Sequence, residues 1–182
     1  MSINRMRGVT LIELIMFMLI ISIAIIGITR IMNLTGVASA DPILEKQALA
    51  IAESMLDEIE LQAFTICDPD DANVAIAQAG TDCGGAPQIS IASVPTSTAG
   101  ETRTGNPRFD HVADYNGLDL TGITDLQGVA IPGLQTYRVR VSEVANPVGD
   151  EIRIDVRVTN TANPVDVSLT GYRYRYAPRS VP

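Results

Sequence analysis

Between Val9 and Ile28 the chain carries one ionisable side chain, Glu13, in an otherwise uninterrupted run of aliphatic, Met, Phe and small residues. As a helix rising about 1.5 Å per residue, such a run matches the roughly 30 Å hydrocarbon thickness of a bilayer. It is read as a membrane span, and the remainder of the chain as whatever that span anchors.

The flanks of this span are unusual. Only eight residues precede Val9; they carry Arg5 and Arg7 and end in Gly8. The arginines favour an amino terminus kept in the cytoplasm, with the rest of the chain on the far side. A secretory signal peptide is the competing reading, but its apolar region should run for about 7 to 15 residues and end at a small-x-small cleavage site. The apolar run here is longer, although Ala38-Ser39-Ala40 does offer such a triplet.

Glu13 is the other oddity. A carboxylate at that depth costs on the order of 3 kcal/mol unless it is paired, so an intramembrane acid is a functional candidate by default. A free amino terminus created just upstream is its natural partner, at roughly 6 Å along the helix or on a neighbouring subunit packed with an axial stagger. The alternative is a side chain that reaches back to the cytoplasmic interface.

The hexapeptide Gly8-Val9-Thr10-Leu11-Ile12-Glu13 resembles the Gly-Phe-Thr-Leu-Ile-Glu signature of type IV pilins and type II secretion pseudopilins. Val9 stands where most members of that family have Phe. The resemblance implies cleavage between Gly8 and Val9 by a membrane aspartyl prepilin peptidase, which also methylates the new amino terminus at Val9. Glu13 then becomes a residue that sets subunit register during filament assembly. The implied organisation is a leader over 1–8, a transmembrane and assembly helix over 9–30, the amphipathic half of a stalk helix over 31–66, and a periplasmic globular domain over 67–182.

The 182 residues carry a net charge of −8, which argues against nucleic acid as a partner because phosphate binding wants a basic surface. The two cysteines are Cys67 and Cys83. In the periplasm implied by the resemblance they can form a disulfide closing a loop of about fifteen residues, worth roughly 3 kcal/mol. Two buried thiols or half of a metal site are the alternatives; the lone His111 lies far off in sequence and there is no Cys-x-x-Cys pair.

Asp41-Pro42 can open a new helix or kink a continuous one, so the stalk is expected to bend or restart there. Beyond it, Leu44, Ala48, Ile51, Ala52, Met55, Leu56, Ile59 and Ala63 recur at helical spacing, with Lys46, Glu53, Asp57 and Glu60 opposite. One face should dock on a sheet, and the helix should stop before Pro69. Ala40-Asp-Pro, Lys46-Gln-Ala-Leu-Ala-Ile-Ala-Glu-Ser and Leu56-Asp-Glu-Ile-Glu resemble the stalk of the minor pilins of the mannose-sensitive haemagglutinin pilus, the D-type group in particular. Phe109-Asp-His-Val-Ala-Asp-Tyr-Asn-Gly117 is similar to a segment of the same group; Phe109, Val112 and Tyr115 should bury while Asp110, Asp114 and Asn116-Gly117 build turns.

Asp68, Asp70, Asp71 and Asp82 are numerous enough to raise a calcium loop, since hard cations want six to eight oxygens. The spacing lacks the twelve-residue hand pattern, ordinary turn chemistry accounts for Pro and Asp in such a loop, and no metal ligand or cofactor is assigned. Residues 74–107 read as a loop-rich insert with one candidate strand, Gln88–Val94. His111 between aspartates reads as a surface residue, and no serine motif accompanies it to form a triad.

The last third alternates as strands: Tyr137, Val139 and Val141 against Arg138 and Arg140, then Ile152, Ile154, Val156 and Val158 against Arg153, Asp155 and Arg157, joined by a turn at Asn146–Asp150. Val165, Val167 and Leu169 share one parity and Tyr172, Tyr174 and Tyr176 the other, which predicts a bulge or break at Thr170-Gly171. Tyr172–Tyr176 invites a glycan-stacking reading; tyrosines packed on the helix or shielding an edge, with arginines outward, is the simpler one.

The expected fold is α+β: a long amino-terminal helix, apolar then amphipathic, packed on a carboxy-terminal antiparallel sheet. The expected function is structural, a minor pilin-like subunit. Its partners would be the prepilin peptidase, other major and minor pilins, the inner-membrane assembly platform and the membrane itself; its place would be the inner membrane and then the filament. A minor pseudopilin of a type II secretion system is the alternative, and a single-pass membrane enzyme or receptor a more distant one.

Overall fold

The computed structural model describes residues 10–85 and 98–176, with the side chains of 33–41 set aside. The expected cleavage and methylation point at Gly8 and Val9 and the candidate strand Gln88–Val94 lie outside the described residues.

Helix α1 spans Leu11–Glu60 and includes Pro42. The restart considered at Asp41-Pro42 does not occur; the helix runs through the proline despite the backbone hydrogen bond that proline cannot make. The chain divides into two compact units at this point, one ending at Ile43 and one beginning at Leu44.

In the first unit, Leu11–Met32 has a mean hydropathy of 2.8, is long and apolar enough to cross a membrane, and is not buried by protein. Its hydroxyls are satisfied within the helix: Ser22 Oγ donates to the Met18 carbonyl at 2.7 Å and Thr29 Oγ1 to the Ile25 carbonyl at 2.8 Å. Such back-bonding removes the need for a polar partner outside the helix.

The second unit is α+β. Four strands, β1 (Asp119–Thr121), β2 (Tyr137–Ala145), β3 (Glu151–Asn160) and β4 (Asp166–Tyr174), form one antiparallel sheet in sequence order. The α1 residues Ala48, Ile51, Ala52, Met55 and Ile59 share a core with Val139, Val141, Ile152, Ile154, Val156 and Val158 of β2 and β3. The helical spacing of one set and the alternation of the other put both on facing apolar surfaces. On the opposite face of the sheet, Asp119 pairs with Arg138 and Arg140, Arg153 with Asp155, and Arg157 with Asp166. These pairs are half-exposed, and each contributes little to stability.

The β2–β3 turn is the expected one. Asn146 Oδ1 accepts from the Gly149 and Asp150 amides, and Gly149 takes a φ of +77°, a left-handed conformation that side chains disfavour.

Three further expectations are corrected. The bulge predicted at Thr170-Gly171 is absent: β4 pairs with β3 one residue to one from Asp166 to Tyr174. Parity is kept because Gly171 continues the helix-facing row begun by Val167 and Leu169, and the tyrosines belong to the outer row. Gly171 is buried beneath α1, where an added methyl group would lie 2.7 Å from Leu56 Cδ1 and 2.5 Å from Glu60 Oε1. The tyrosines therefore do not pack on the helix, and the row they were expected to occupy includes Arg173.

Helix α1 ends at Glu60, short of the 66 limit expected for the stalk, because Ala63 leaves the helix to pair with the His111 segment. The Ala63 amide donates to Asp110 O at 3.3 Å, and the Val112 amide to Ala63 O at 3.0 Å. Strand β1 is too short to leave a periodic trace in the sequence.

Candidate functional site

At the start of α1, Thr10 precedes the first helical residue and its hydroxyl accepts from the Glu13 amide at 3.4 Å, the placement of an N-cap. Glu13 thus lies in the first turn, where the free amide ends of the helix favour negative charge. It is exposed, and among the described residues no cationic side chain forms an ion pair with it. Within one copy of the described chain, its charge is answered only by the helix terminus.

In the second unit the chain leaves α1 through Phe64–Cys67 and enters a loop closed by a Cys67–Cys83 disulfide, so the pairing left open in the sequence is present. A small core of Ile66, Val74, Ala77 and the two half-cystines fills the loop. Of its four aspartates, two are turn-builders. Asp71 accepts from the Asn73 and Gly85 amides, both at 2.8 Å, and Asp82 accepts from Gln78 and Ala79 at 2.8 and 2.9 Å. These backbone donors hold both carboxyls below their ordinary range.

Asp68 and Asp70 do something else. They meet Glu101, and Glu101 in turn meets Asp110 and Asp114. Asp114 Oδ1 accepts from the Thr98 amide at 2.9 Å and Oδ2 from the His111 amide at 2.9 Å; Asp68 Oδ2 accepts from the Thr98 hydroxyl at 2.5 Å and Oδ1 from the Asp70 amide at 2.8 Å. Glu101 Oε2 and Asp110 Oδ1 are buried with no hydrogen-bond partner. Burial, then the charges of Asp114, Asp68 and Asp110, push the Glu101 carboxyl up to about 8; burial, then Asp68, Asp114 and Asp70, push Asp110 to about 7. Glu101 belongs to no motif, and only the fold brings it to the aspartates.

His111 is not a surface residue. It is fully buried, capping the short 3-10 turn Val112–Tyr115. Nδ1 accepts from the Ala113 amide at 3.0 Å, and Nε2 meets both the amide and the carbonyl of Thr65, each at 3.1 Å. Burial lowers its pKa. Both nitrogens serve the backbone, and the flanking aspartates misled the sequence reading because they face the other carboxylates. Phe109, Val112 and Tyr115 do pack in the core, the rings of Phe109 and Tyr115 meeting edge to face at 5.0 Å.

One further polar assembly was not legible in the sequence. Arg103 grips Glu58 of α1 with two bonds of 2.7 Å and donates to Thr124 O at 3.0 Å, while the Tyr115 hydroxyl donates to Glu58 Oε1 at 3.0 Å. Burial and the neighbouring Glu58 raise the Tyr115 pKa.

At the far side of the sheet, Tyr172, Tyr174 and Tyr176 are exposed. Arg175 lies over the Phe64 ring, 5.3 Å from its centroid, and donates to the Gly149 carbonyl. The chain matches no family model, curated protein or solved structure.

Proposed function

We propose that this chain is a type IV pilin-like structural subunit, of the minor-pilin kind found in mannose-sensitive haemagglutinin pili. The observation that carries the reading is Glu13: one acid, in the first turn of a membrane-length apolar helix, with no ion-pair partner among the described residues. Its position relative to the Gly8-Val9 junction supports the same conclusion, as does the continuation of that helix into an α+β unit with a disulfide.

On this reading the leader is removed after Gly8 on the cytoplasmic side, and Val9 becomes the methylated amino terminus. The span holds the subunit in the inner membrane with the α+β unit in the periplasm. Extraction into the filament then replaces lipid with the apolar helices of other pilins. In that dry surrounding the Glu13 carboxylate attracts the amino terminus of an adjacent subunit, an interaction much stronger than in water, and so fixes the axial step between subunits. The role is structural rather than catalytic, and starting or capping assembly follows from the minor-pilin assignment.

The test is the intact mass and amino-terminal sequence of the membrane-extracted protein, alongside Gly8→Ala and Glu13→Ala. A wild-type chain beginning at Val9, an uncut Gly8→Ala, and a Glu13→Ala that is cut but missing from sheared filaments are expected. A wild-type chain left uncut, or one beginning near Asp41, overturns the proposal.

A further inference from the structure

Five carboxylates from three separate segments converge beside the disulfide loop: Asp68 and Asp70, Glu101, and Asp110 and Asp114. One oxygen from each of Asp68, Asp70 and Glu101 lies within 4.8 Å of the others, and the same holds for Glu101, Asp110 and Asp114. Acidic clusters are usually solvated, and convergence alone would mean little. At its centre Glu101 is only 9% exposed; its side chain meets Asp114, but its Oε2 is inaccessible and has no hydrogen-bond partner. Asp110 Oδ1 is in the same condition. Neither Glu101 nor Asp110 has an Arg or Lys ion-pair partner among the described residues. Buried carboxylate oxygens without donors or counter-charge are costly, and such groups in native proteins are normally paired or coordinate metal.

We propose that Glu101 is the central ligand of a calcium site whose other oxygens come from Asp68, Asp70, Asp110 and Asp114. The donor set selects the ion. Among the described residues the His, Cys, Asp and Glu atoms that gather here are all carboxylate oxygens, which suits a hard cation; zinc would call on nitrogen or sulfur, but both His111 nitrogens are engaged with the backbone and both cysteines are in the disulfide. Calcium accepts about six to eight oxygens in irregular geometry, whereas magnesium demands a near-octahedral shell and keeps several waters, so a site crowded with carboxylates favours calcium.

The surroundings are organised to present these ligands. Thr98 holds two of them at once, its hydroxyl on Asp68 and its amide on Asp114. The His111 amide holds the second oxygen of Asp114. Donors of this kind orient metal ligands and limit the rearrangement needed on binding. A bound ion would tie the disulfide loop to the 98–115 segment, and so to the sheet. This inference is independent of the pilin reading.

The experiment uses the full chain in detergent micelles, titrated with calcium chloride by calorimetry and followed by thermal unfolding with calcium or chelator. We expect saturable binding with a Kd of about 10⁻⁴–10⁻³ M, as in extracellular calcium modules. At a calcium concentration about fifty times Kd, Tm should rise by roughly 5 °C, with magnesium giving less. Glu101→Gln should lose the calcium-dependent rise while its calcium-free Tm equals or exceeds that of wild type, because one crowded negative charge is gone. Asp71→Asn, in the neighbouring turn, should keep it. If Glu101→Gln fails to fold, Asp110→Asn makes the same comparison. Folded wild type that shows no saturable calcium binding up to about 10 mM, ten times the upper Kd, sinks the proposal. Calcium affinity unchanged by the substitution does the same.

Discussion

Glu143 sits on the core-facing row of β2, 2% exposed, with neither carboxylate oxygen hydrogen-bonded. Burial, with a smaller contribution from Asp114, pushes its pKa from 4.5 up to about 9. The folded chain therefore keeps a proton that the unfolded chain gives up. Stability from this group is complete below about pH 4.5 and is withdrawn as the pH climbs toward 9. The slope is about 1.4 kcal/mol per pH unit for one proton. Glu143→Gln, which keeps the shape of the protonated acid, should match wild type near pH 4 and exceed it increasingly as pH rises; urea unfolding across that range checks it. A wild-type chain whose stability rises over the interval would contradict this assignment. Gly171 is the second residue whose meaning emerges only in the fold. Gly171→Val should cost about 2 kcal/mol by overpacking against Leu56, and a double-mutant cycle with Leu56→Ala should be non-additive. Neither position could be read from the sequence: Glu143 interrupts its row as a lone acid, and Gly171 looks like a strand break until the helix above it is seen.

At the level of elements, periodicity carried the reading well where both sides of an element repeat over several turns or residues. The 44–59 apolar stripe, β2 and β3 lie where their alternation put them, and the Asn146–Asp150 turn joins β2 to β3 as its residues require. What failed depended on contacts between segments distant in sequence. The end of α1 is set by Ala63 pairing with His111, and the burial of His111 follows from the same pairing. The Arg103–Glu58 grip is another such contact: it fastens the 98–110 loop to α1, and only 9% of the Arg103 side chain and 13% of the Glu58 side chain are accessible. Arg103→Ala should destabilise the chain by about 3 kcal/mol, because it leaves the Glu58 charge buried without its partner. Replacing both residues together, as Arg103→Met with Glu58→Met, should cost less than Arg103→Ala alone. Denaturant midpoints of the single and double variants decide this.

Over the whole molecule, the membrane-length run was the plainest signal in the sequence, because a stretch of about twenty residues with a single charge admits few other uses. The acidic convergence on Glu101 was the least visible, since its members lie in three segments: Asp68 and Asp70 read with the loop near Cys67, Asp110 and Asp114 as turn residues, and Glu101 with neither. The back-bonded hydroxyls of Ser22 and Thr29 have a mechanical consequence. Between Glu13 and Arg30, each side-chain hydroxyl is engaged with a carbonyl one turn back. The helix therefore meets its surroundings through dispersion and shape alone, which prefer contact area but scarcely any azimuth. Glu13 is the one charged side chain between Leu11 and Thr29, so on the proposed reading it alone gives this featureless shaft a preferred depth.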